Sequence, residues 1–394
     1  MRIQTLSTVD YDVVEVGARP AGAATALLLA RQGLRVLVVD RGQYGTDTLS
    51  THALMRAGVL QLLRFGVLPG IVEHATPAIR SAAFIYGDDE MPVPVKSRDG
   101  VDALYAPRRT VLDRSIVDVA ADAGVHFSYG TAIVDVMRSA GGRVSGVVVK
   151  PDSGAIKNLR AGLVIGADGV RSSIASLVQA DVTRRAAASA ATVFGYWADV
   201  PVDGYRWYFR PGLSAGAIPT NNGLTCVFAS VPARRFAEVF RGNPERGYRG
   251  VLAEVAPELT PALRGAASVG SLRGWPGQPG YLRRAAGPGW ALVGDAAYFK
   301  DPITAHGITD ALVEADYLSH AVARGTDEAL QDYGLDRDRR VETIFDVTDR
   351  IASFDWTLEE VRQLHKQLAK AMSDEVTAIN TSAGEGVLAS RAHS

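Results

Sequence analysis

The first forty residues constrain the fold of this chain more than any other stretch. A β-branched run over residues 11–16 predicts a buried strand, and a turn bounded by Gly17 and Gly22 follows it. The next segment predicts a helix, and a second apolar run ends in Asp40. A strand, a glycine turn, a helix and a second strand that ends in an acid are typical of a dinucleotide-binding βαβ unit.

Each part of this unit has a physical role in binding a dinucleotide. Gly17 permits the tight turn, and Gly22 lets the helix and the strand approach closely. The helix N-terminus offers free N–H groups and a positive dipole end to a pyrophosphate. Asp40 lies at the spacing at which a carboxylate accepts hydrogen bonds from ribose hydroxyls. From this stretch alone, an ordinary βαβ unit with a glycine turn remains the alternative.

Two residues depart from the usual pattern. Arg19 stands where the G-x-G-x-x-G pattern has its middle glycine, so its Cβ should crowd the diphosphate. Its guanidinium could instead pair with a phosphate oxygen. Glu15 lies inside an otherwise apolar strand, and because a buried carboxylate needs a partner, we expect one for Glu15 in the fold.

Composition bounds the class of protein. The 394 residues are enough for two domains, and the formal net charge of −1 argues against nucleic acid as a partner. The single cysteine, Cys226, lies in an apolar run that predicts a buried strand, and it excludes intrachain disulfides. Because no segment is long and apolar enough to span a bilayer and the first ten residues lack a signal-peptide pattern, we expect a cytoplasmic protein.

Polar motifs follow further predicted strands. The loop over residues 46–52 has the sequence TDTLSTH, which either caps a helix and forms turns or faces a cofactor. An apolar strand runs into Asp168-Gly169, which is more specific than a lone glycine motif, although Asp-Gly before a serine is also a common turn and helix cap. A short buried strand ends in Gly294-Asp295, and a loop that contains Pro302 leads into another helix.

Two stretches predict a second, strand-rich domain. Residues 72–104 have a hairpin rhythm, and residues 179–284 are rich in strands and aromatic side chains. Strand alternation places Trp207 and Phe209 on one face. With Ile218 they are candidates to line a pocket for a flat apolar ligand, and plain core packing is the alternative.

The C-terminal part of the chain is charged and helical in pattern from residue 326 onwards. Its acidic pairs Asp355-Trp356 and Glu359-Glu360 are interpreted as solvated helix surface rather than as a site. We therefore expect this region to be a helical segment without a catalytic role.

Taken together, these motifs resemble the FAD-dependent monooxygenases of the para-hydroxybenzoate hydroxylase type, the group A flavin hydroxylases. The resemblance rests on five features in this order: the Gly17–Gly22 turn, Asp40, Arg109 before Leu112-Asp113, Asp168-Gly169, and Gly294-Asp295 with the Pro302 loop. The D-T-L-S-T-H loop resembles a subgroup in which an arginine at the position of Arg19 is also familiar.

The resemblance implies an α/β fold. Its expected parts are a Rossmann-like FAD-binding domain of the glutathione reductase type, an inserted, mostly antiparallel β-sheet substrate domain, and a C-terminal helical segment. The FAD-binding domain is expected over residues 1–71, 105–178 and 285–325, the substrate-binding domain over 72–104 and 179–284, and the helical region over 326–394.

The resemblance also assigns cofactor contacts to residues of this chain. Gly17, Arg19 and Gly22 would surround the FAD pyrophosphate, Asp40 would bind the adenosine ribose, and Arg109 would reach the cofactor. Arg41, Gly294 and Pro302 are further expected cofactor-binding residues. Asp168 and Gly169 would serve both FAD and the nicotinamide, Asp295 would hold the ribityl chain, and the amides around Gly307 and Ile308 would face the flavin pyrimidine edge. A helix N-terminus there would stabilise the negative charge of reduced flavin.

The implied chemistry is that NAD(P)H reduces FAD, O₂ adds to form a C4a-(hydro)peroxide, and its distal oxygen passes to an electron-rich ring. This chemistry requires no metal and no catalytic triad. A base that deprotonates a phenolic substrate fits it, with His52 or a pocket tyrosine as the candidate. We therefore expect a monooxygenase that hydroxylates or oxidises an aromatic or polyketide-like small molecule, in an oligomeric state that the sequence leaves open.

Three other functions remain open on the same scaffold. A flavin-dependent halogenase would carry a lysine early in the second domain and a G-W-x-W-x-I-P segment. Here the first lysine is Lys96, and the segment that begins at Gly274-Trp275 does not match. An alkene reductase of the geranylgeranyl reductase type shares the fold and transfers hydride instead of oxygen. A flavoprotein without catalytic activity is the third alternative.

Overall fold

The computed structural model describes residues 10–391, with side chains for residues 10–381. Along this part of the chain the strands are β1 (Tyr11–Val16), β2 (Val36–Val39), β3 (Ser81–Tyr86), β4 (Asp89–Pro94), β5 (His126–Ser128), β6 (Thr131–Arg138), β7 (Val144–Pro151), β8 (Lys157–Gly166), β9 (Val182–Arg185), β10 (Ala190–Ala198), β11 (Tyr205–Arg210), β12 (Leu213–Pro219), β13 (Leu224–Pro232), β14 (Ser268–Trp275), β15 (Tyr281–Arg283), β16 (Ala286–Gly287), β17 (Trp290–Leu292) and β18 (Tyr298–Phe299). The helices are α1 (Pro20–Arg31), α2 (Arg56–Arg64), α3 (Leu68–Glu73), α4 (Arg109–Asp122), α5 (Ser173–Leu177), α6 (Phe236–Val239), α7 (Pro244–Val255), α8 (Leu259–Gly265), α9 (Gly307–Ala323), α10 (Asp327–Ala352) and α11 (Leu358–Arg391).

The first sheet has a Rossmann-like parallel core. Strands β17, β8, β1, β2 and β5 lie side by side in that order and are all parallel. The long strand β8 leaves this core at its N-terminal half and pairs antiparallel with β7, which pairs with β6. Helix α1 packs against α4 and α9, and its residues are buried on nearly every side. The predicted Rossmann-like α/β fold is confirmed.

The second sheet lies in the order β14, β10, β13, β12, β11, β3, β4, and every pair is antiparallel except β11 with β3. Its strands fall within the two stretches predicted for the second domain. Alternation in β11 sends Trp207 and Phe209 to one side and Tyr208 to the other, where helix α7 packs. The antiparallel second sheet is therefore also confirmed, and its aromatic face is directed away from α7.

The C-terminal helices are joined by a link that packs on the second sheet. The link between α10 and α11 crosses the aromatic face of the second sheet, where Trp356 is buried with its ring 6.4 Å from that of Phe209. The indole N–H of Trp356 donates to the carbonyl of Ile351 at 2.9 Å. The interpretation of this stretch as solvated surface was wrong for Trp356, because the link is needed to cover aromatic side chains. It was right for Asp355, Glu359 and Glu360, which are exposed.

Glu15 does not have the partner that we expected. Its side chain is fully buried in β1, and neither carboxylate oxygen has a hydrogen-bond partner in the part of the chain that the structure describes. Burial raises its pKa well above the ordinary value, which favours the neutral carboxylic acid.

Among residues 10–391, no helix combines the length and apolar character needed to cross a bilayer.

Candidate cofactor and substrate site

The predicted cofactor motifs meet at one edge of the parallel sheet. The amide of Ala167 donates to the carbonyl of Val16 at 2.8 Å, and the amide of Val293 donates to the carbonyl of Gly166 at 3.0 Å. The motifs that follow β1, β8 and β17 are therefore neighbours, although long stretches of sequence separate them. The carboxyl ends of parallel strands are where open α/β sheets bind their ligands.

The turn after β1 requires its two glycines. Gly17 has φ +110°, and a Cβ there would lie 2.5 Å from the carbonyl oxygen of Ala167. A Cβ on Gly22 would lie 1.9 Å from the carbonyl oxygen of Gly17. Because Pro20 begins α1 without an N–H of its own, the free amides of this helix end belong to the residues that follow it.

Asp40 closes the adjacent end of the site. Its carboxylate accepts hydrogen bonds from the amides of Ala18 at 2.7 Å and Gly42 at 2.6 Å, which fixes its position beside the glycine turn. A pocket opens here between Arg19, Asp40 and Tyr129. Arg41, also predicted to bind the cofactor, is exposed.

Arg19 is directed away from the glycine turn. Its guanidinium donates to Asp113 on α4 at 2.7 Å and to the carbonyl of Thr46 at 2.9 Å. Arg109, which begins α4, donates to the same carboxylate at 2.7 Å. Asp113 thus joins two arginines that both carry predicted cofactor roles. The pairing of Arg19 with a phosphate stays a prediction.

The Asp168-Gly169 motif forms a turn and a helix cap. The Asp168 carboxylate accepts from the Ser172 hydroxyl at 2.5 Å and from the Ser173 amide at 2.6 Å, at the start of α5. Ser172 in turn accepts from the amide of Ala175 at 2.9 Å. This is the alternative that the sequence left open. Gly169 has φ +77° and faces open space, so its backbone is accessible to a ligand.

The third motif sits at the N-terminus of α9. Gly294 has φ +61°, and a Cβ there would lie 2.8 Å from the Cβ of Ala21, so this turn packs directly on α1. Burial raises the pKa of Asp295 to about 6, although Lys300 and Arg109 oppose the shift. The exposed Gly307 has open space around its Cα.

Pro302 begins the short 3₁₀ turn Pro302–Thr304 ahead of α9, and Ile308 is half-buried in the first turn of that helix. The Gly294 turn lies between α9 and this edge of the sheet, because a Cβ on Gly294 would lie 2.8 Å from the Cβ of Ala21 in α1 and 3.7 Å from the Cβ of Ala311 in α9. A cradle of obligatory glycines, a fixed carboxylate and two open helix N-termini suits a dinucleotide with a charged diphosphate. These residues fit FAD.

The TDTLSTH loop brings His52 into the interior. His52 is buried with φ +68°, its Nε2 is hydrogen-bonded to the hydroxyl of Tyr196 on β10, and the two rings stack with centroids 5.7 Å apart. Its Nδ1 has no hydrogen-bond partner among the described residues. Burial, with Arg109 and Arg108 nearby, lowers the pKa of His52 to about 3.

Charged side chains pack against Tyr196. The guanidinium of Arg108 lies 3.9 Å from the centre of the Tyr196 ring. Asp47, from the same loop as His52, pairs with Arg108 at 2.7 Å and with Arg273 at 3.1 Å. This loop also reaches α9, because the amide of Met55 donates to the Thr309 hydroxyl at 3.2 Å. His52 therefore lies between the predicted cofactor edge and the second sheet.

An apolar wall adjoins the His52–Tyr196 pair. Trp207, Phe209 and Ile218, the predicted pocket residues, are buried in one cluster with Tyr196. Sequence reasoning missed Tyr196, Arg108 and Trp356. A clue was available for Tyr196, because its strand β10, like β11, is rich in aromatic residues.

The fold and this site define a flavoprotein oxidoreductase, and comparison with known proteins identifies the family. A family model described as FAD binding domain matches residues 10–348, so the chain belongs to this FAD-binding family. It is 30% identical over 319 residues to the menaquinone reductase of Mycolicibacterium smegmatis, covering 75% of this chain and 72% of that protein. It is 27% identical over 324 residues to the digeranylgeranylglycerophospholipid reductase of Methanothrix thermoacetophila, covering 80% of this chain and 79% of that protein.

Solved structures agree on the fold. PqsL of Pseudomonas aeruginosa, described as a probable FAD-dependent monooxygenase, has a TM-score of 0.75 at 21% identity and covers 92% of this chain and 99% of its own. The flavin-dependent brominase Bmp2 has the same TM-score of 0.75 at 20% identity and covers 95% of this chain and 99% of its own. The protein is thus an FAD-dependent oxidoreductase whose fold also serves oxygenation and halogenation in other proteins.

Proposed function

We propose that this protein is an FAD-dependent monooxygenase that uses NAD(P)H and O₂ to hydroxylate or oxidise an aromatic or polyketide-like small molecule. The observation that carries the proposal is the unpaired Nδ1 of the buried His52. An unpaired buried nitrogen costs free energy, and a hydroxyl group of a bound substrate would supply its partner. A site that offers a hydrogen-bond acceptor next to an aromatic wall suits a phenolic substrate.

The neighbours of His52 favour one tautomer. The Tyr196 hydroxyl can donate to the carbonyl of Ser50 at 3.5 Å, so its oxygen can accept the Nε2–H of His52. Nδ1 then keeps a free lone pair. Because burial and the two arginines hold the His52 pKa at about 3, an imidazolium does not persist. His52 therefore accepts a hydrogen bond from the substrate hydroxyl at Nδ1 without keeping its proton, and Tyr196 fixes the orientation of the ring.

The remaining residues bind, orient and exclude water. FAD, when bound, supplies the redox and oxygen chemistry that amino-acid side chains lack. The glycine turn and Asp40 would hold its diphosphate and ribose, and the amides of Gly307 and Ile308 would face the flavin ring. Trp207 and Phe209 would keep the substrate side dry, which strengthens every hydrogen bond formed there.

A second candidate is reduction of an alkene in a prenyl lipid. It is favoured by the curated relatives, which are named as reductases of menaquinone and of digeranylgeranylglycerophospholipid. Saturating an alkene requires an acid that protonates carbon. The acidic groups in the aromatic cluster are Tyr86, Tyr196, Tyr205 and Cys226, and burial raises the pKa of each, which makes them weak proton donors. We therefore place this function second.

The test compares the two reactions on one preparation. Protein loaded with FAD is mixed with NADH or NADPH and a panel of phenols, indoles and polycyclic aromatics, and O₂ consumption and product mass are recorded. We expect at least one aromatic compound to stimulate O₂ consumption and to gain an oxygen atom derived from labelled O₂. An anaerobic arm uses menaquinone and a geranylgeranyl lipid. Saturation of these lipids, without oxygen incorporation in the first arm, would overturn the proposal in favour of the reductase.

A further inference from the structure

Four titratable side chains meet behind the first turn of α9, and we name them the buried charge cluster: Lys300, His306, Asp310 and Glu375. His306 Nδ1 lies 2.8 Å from Asp310 Oδ1, and His306 Nε2 lies 3.2 Å from Glu375 Oε2. The ammonium of Lys300 contacts the Asp310 carboxylate. The cluster thus links the loop before α9, the first turn of α9 and the distant helix α11.

The cluster is buried, and Glu375 is its most exposed member. The side chain of His306 is fully buried, Lys300 and Asp310 are nearly so, and the side chain of Glu375 is 14% exposed. Protons can therefore exchange with solvent through Glu375. On the inner side, His306 directly precedes Gly307 and Ile308, whose amides would face the flavin.

The contacts leave room for one more proton. A neutral imidazole carries one N–H, and Nδ1 of His306 is hydrogen-bonded to Asp310, whereas His306 Nε2 and Glu375 Oε2 have no hydrogen-bond partner among the described residues. One added proton would let both nitrogens donate. It would also balance two carboxylates with an imidazolium and the Lys300 ammonium. His306, Asp310 and Glu375 could also hold a cation, but the ammonium of Lys300 already lies beside Asp310.

We propose that the buried charge cluster takes up one proton from solvent, through Glu375 onto His306, when FAD bound in front of α9 is reduced. Reduction by two electrons, from NAD(P)H or from dithionite, places negative charge on the flavin edge that faces the α9 N-terminus. The imidazolium formed behind that helix end compensates this charge. The proposal concerns the cofactor alone, so it holds whether the protein oxygenates an aromatic compound or reduces an alkene.

Burial disfavours an imidazolium in this cluster, so a new negative charge nearby is needed to bring a proton onto His306. Burial lowers the pKa of Lys300 to about 7 and lowers the pKa of His306, while His306 and Lys300 lower the pKa of Glu375. The other ionisable groups that face the cluster come from the β18 segment, the Gly294-Asp295 turn, α9 and α10: Tyr298, Asp295, Glu314 and Arg340. Asp295 and Glu314 are carboxylic acids near Lys300, and their negative charge would help the cluster to accept a positive charge on His306.

The experiment measures protons and potential instead of turnover. The holoprotein is reduced anaerobically in weak buffer with a pH-indicator dye, and its midpoint potential is recorded against pH. Glu375→Gln removes a carboxylate that stabilises the imidazolium. We expect this variant to take up fewer protons on reduction than the wild type, so its midpoint potential should change less steeply with pH. The matched control is Asp374→Asn, one residue earlier on α11, whose exposed carboxylate pairs only with Lys370 among the contacts described.

A second readout follows His306 itself in the wild-type protein. Nitrogen-15 NMR of the side chain distinguishes an imidazole from an imidazolium, first in a pH titration of the apoprotein and then in oxidised and reduced holoprotein. We expect His306 to gain a proton when the flavin is reduced. An unchanged His306 signal on reduction overturns the proposal, even if Glu375→Gln fails to fold. Equal proton uptake and equal potentials in Glu375→Gln, Asp374→Asn and wild type overturn it as well.

Discussion

The guanidinium of Arg19 donates to the carboxylate of Asp113 at 2.7 Å, so the turn that would bind the diphosphate is tied to helix α4. The same carboxylate accepts from Arg109 at 2.7 Å. An arginine thus replaces the middle glycine of the nucleotide-binding pattern without its side chain filling the turn. Asp113, which is buried, gives both arginines their place.

We expect Asp113→Ala to destabilise the protein by about 3–5 kcal/mol, because it leaves two arginines without their buried partner. Chemical denaturation measures the loss. Asp122→Ala, at an exposed position on the same helix, serves as the control and should change stability by less than about 0.5 kcal/mol. Similar stabilities for the two variants would show that the arginines find other partners.

We expect Gly22→Ala to abolish FAD binding and to cost about 1–3 kcal/mol of stability, because its Cβ would lie 1.9 Å from the carbonyl oxygen of Gly17. Flavin absorbance after reconstitution and urea denaturation measure the two effects. Gly250→Ala is the matched helical control. It meets no atom within 4 Å and should stabilise α7 by about 0.5–1 kcal/mol. Normal FAD binding by Gly22→Ala would refute the assigned diphosphate site.

We expect His52→Gln to lower kcat by roughly 100-fold on a phenolic substrate, since it removes the ring nitrogen that orients the substrate hydroxyl. Tyr196→Phe should also lower kcat, because Nε2 of His52 then loses the hydrogen bond that fixes the ring. The double variant should be no slower than the His52 variant if the two residues act as one unit. The control is His126→Gln, on an exposed residue of β5. Additive losses would argue for two independent roles.

The buried His52 makes stability depend on pH. The unfolded chain binds a proton at the ordinary pKa of 6.5, whereas the folded protein binds one only near pH 3. The unfolded state holds more protons between these values. The free energy of unfolding therefore decreases as the pH drops below 6.5, by up to about 1.4 kcal/mol per pH unit. Above that pH the residue adds no slope.

Urea denaturation at neutral pH and at about pH 5 tests this dependence. His52→Gln should show a smaller slope than the wild type. Some slope should remain, because burial also lowers the pKa of His365 to about 3. An identical slope in both proteins would mean that His52 is protonated in the folded state.

Local patterns were sufficient for the cofactor half of the fold. The unit from Tyr11 to Asp40 could be predicted because strand period, turn glycines and helix amides are properties of adjacent residues. The same reasoning placed Trp207 and Phe209 on one face of β11, since side chains alternate along any strand. The sequence did not show whether the Asp168 carboxylate would cap a helix or bind a ligand, because the same Asp-Gly motif is typical of both.

The sequence by itself determined the strands, the turns and the order of the motifs, and through them the family. Only the tertiary structure decided which side chains meet. His52 finds Tyr196 at a separation of 144 residues, and His306 finds Glu375 on a helix that appeared to be surface. The physical reason is that backbone geometry is set by neighbours along the chain, whereas the partner of a buried polar group is set by how the two sheets and the C-terminal helices pack together.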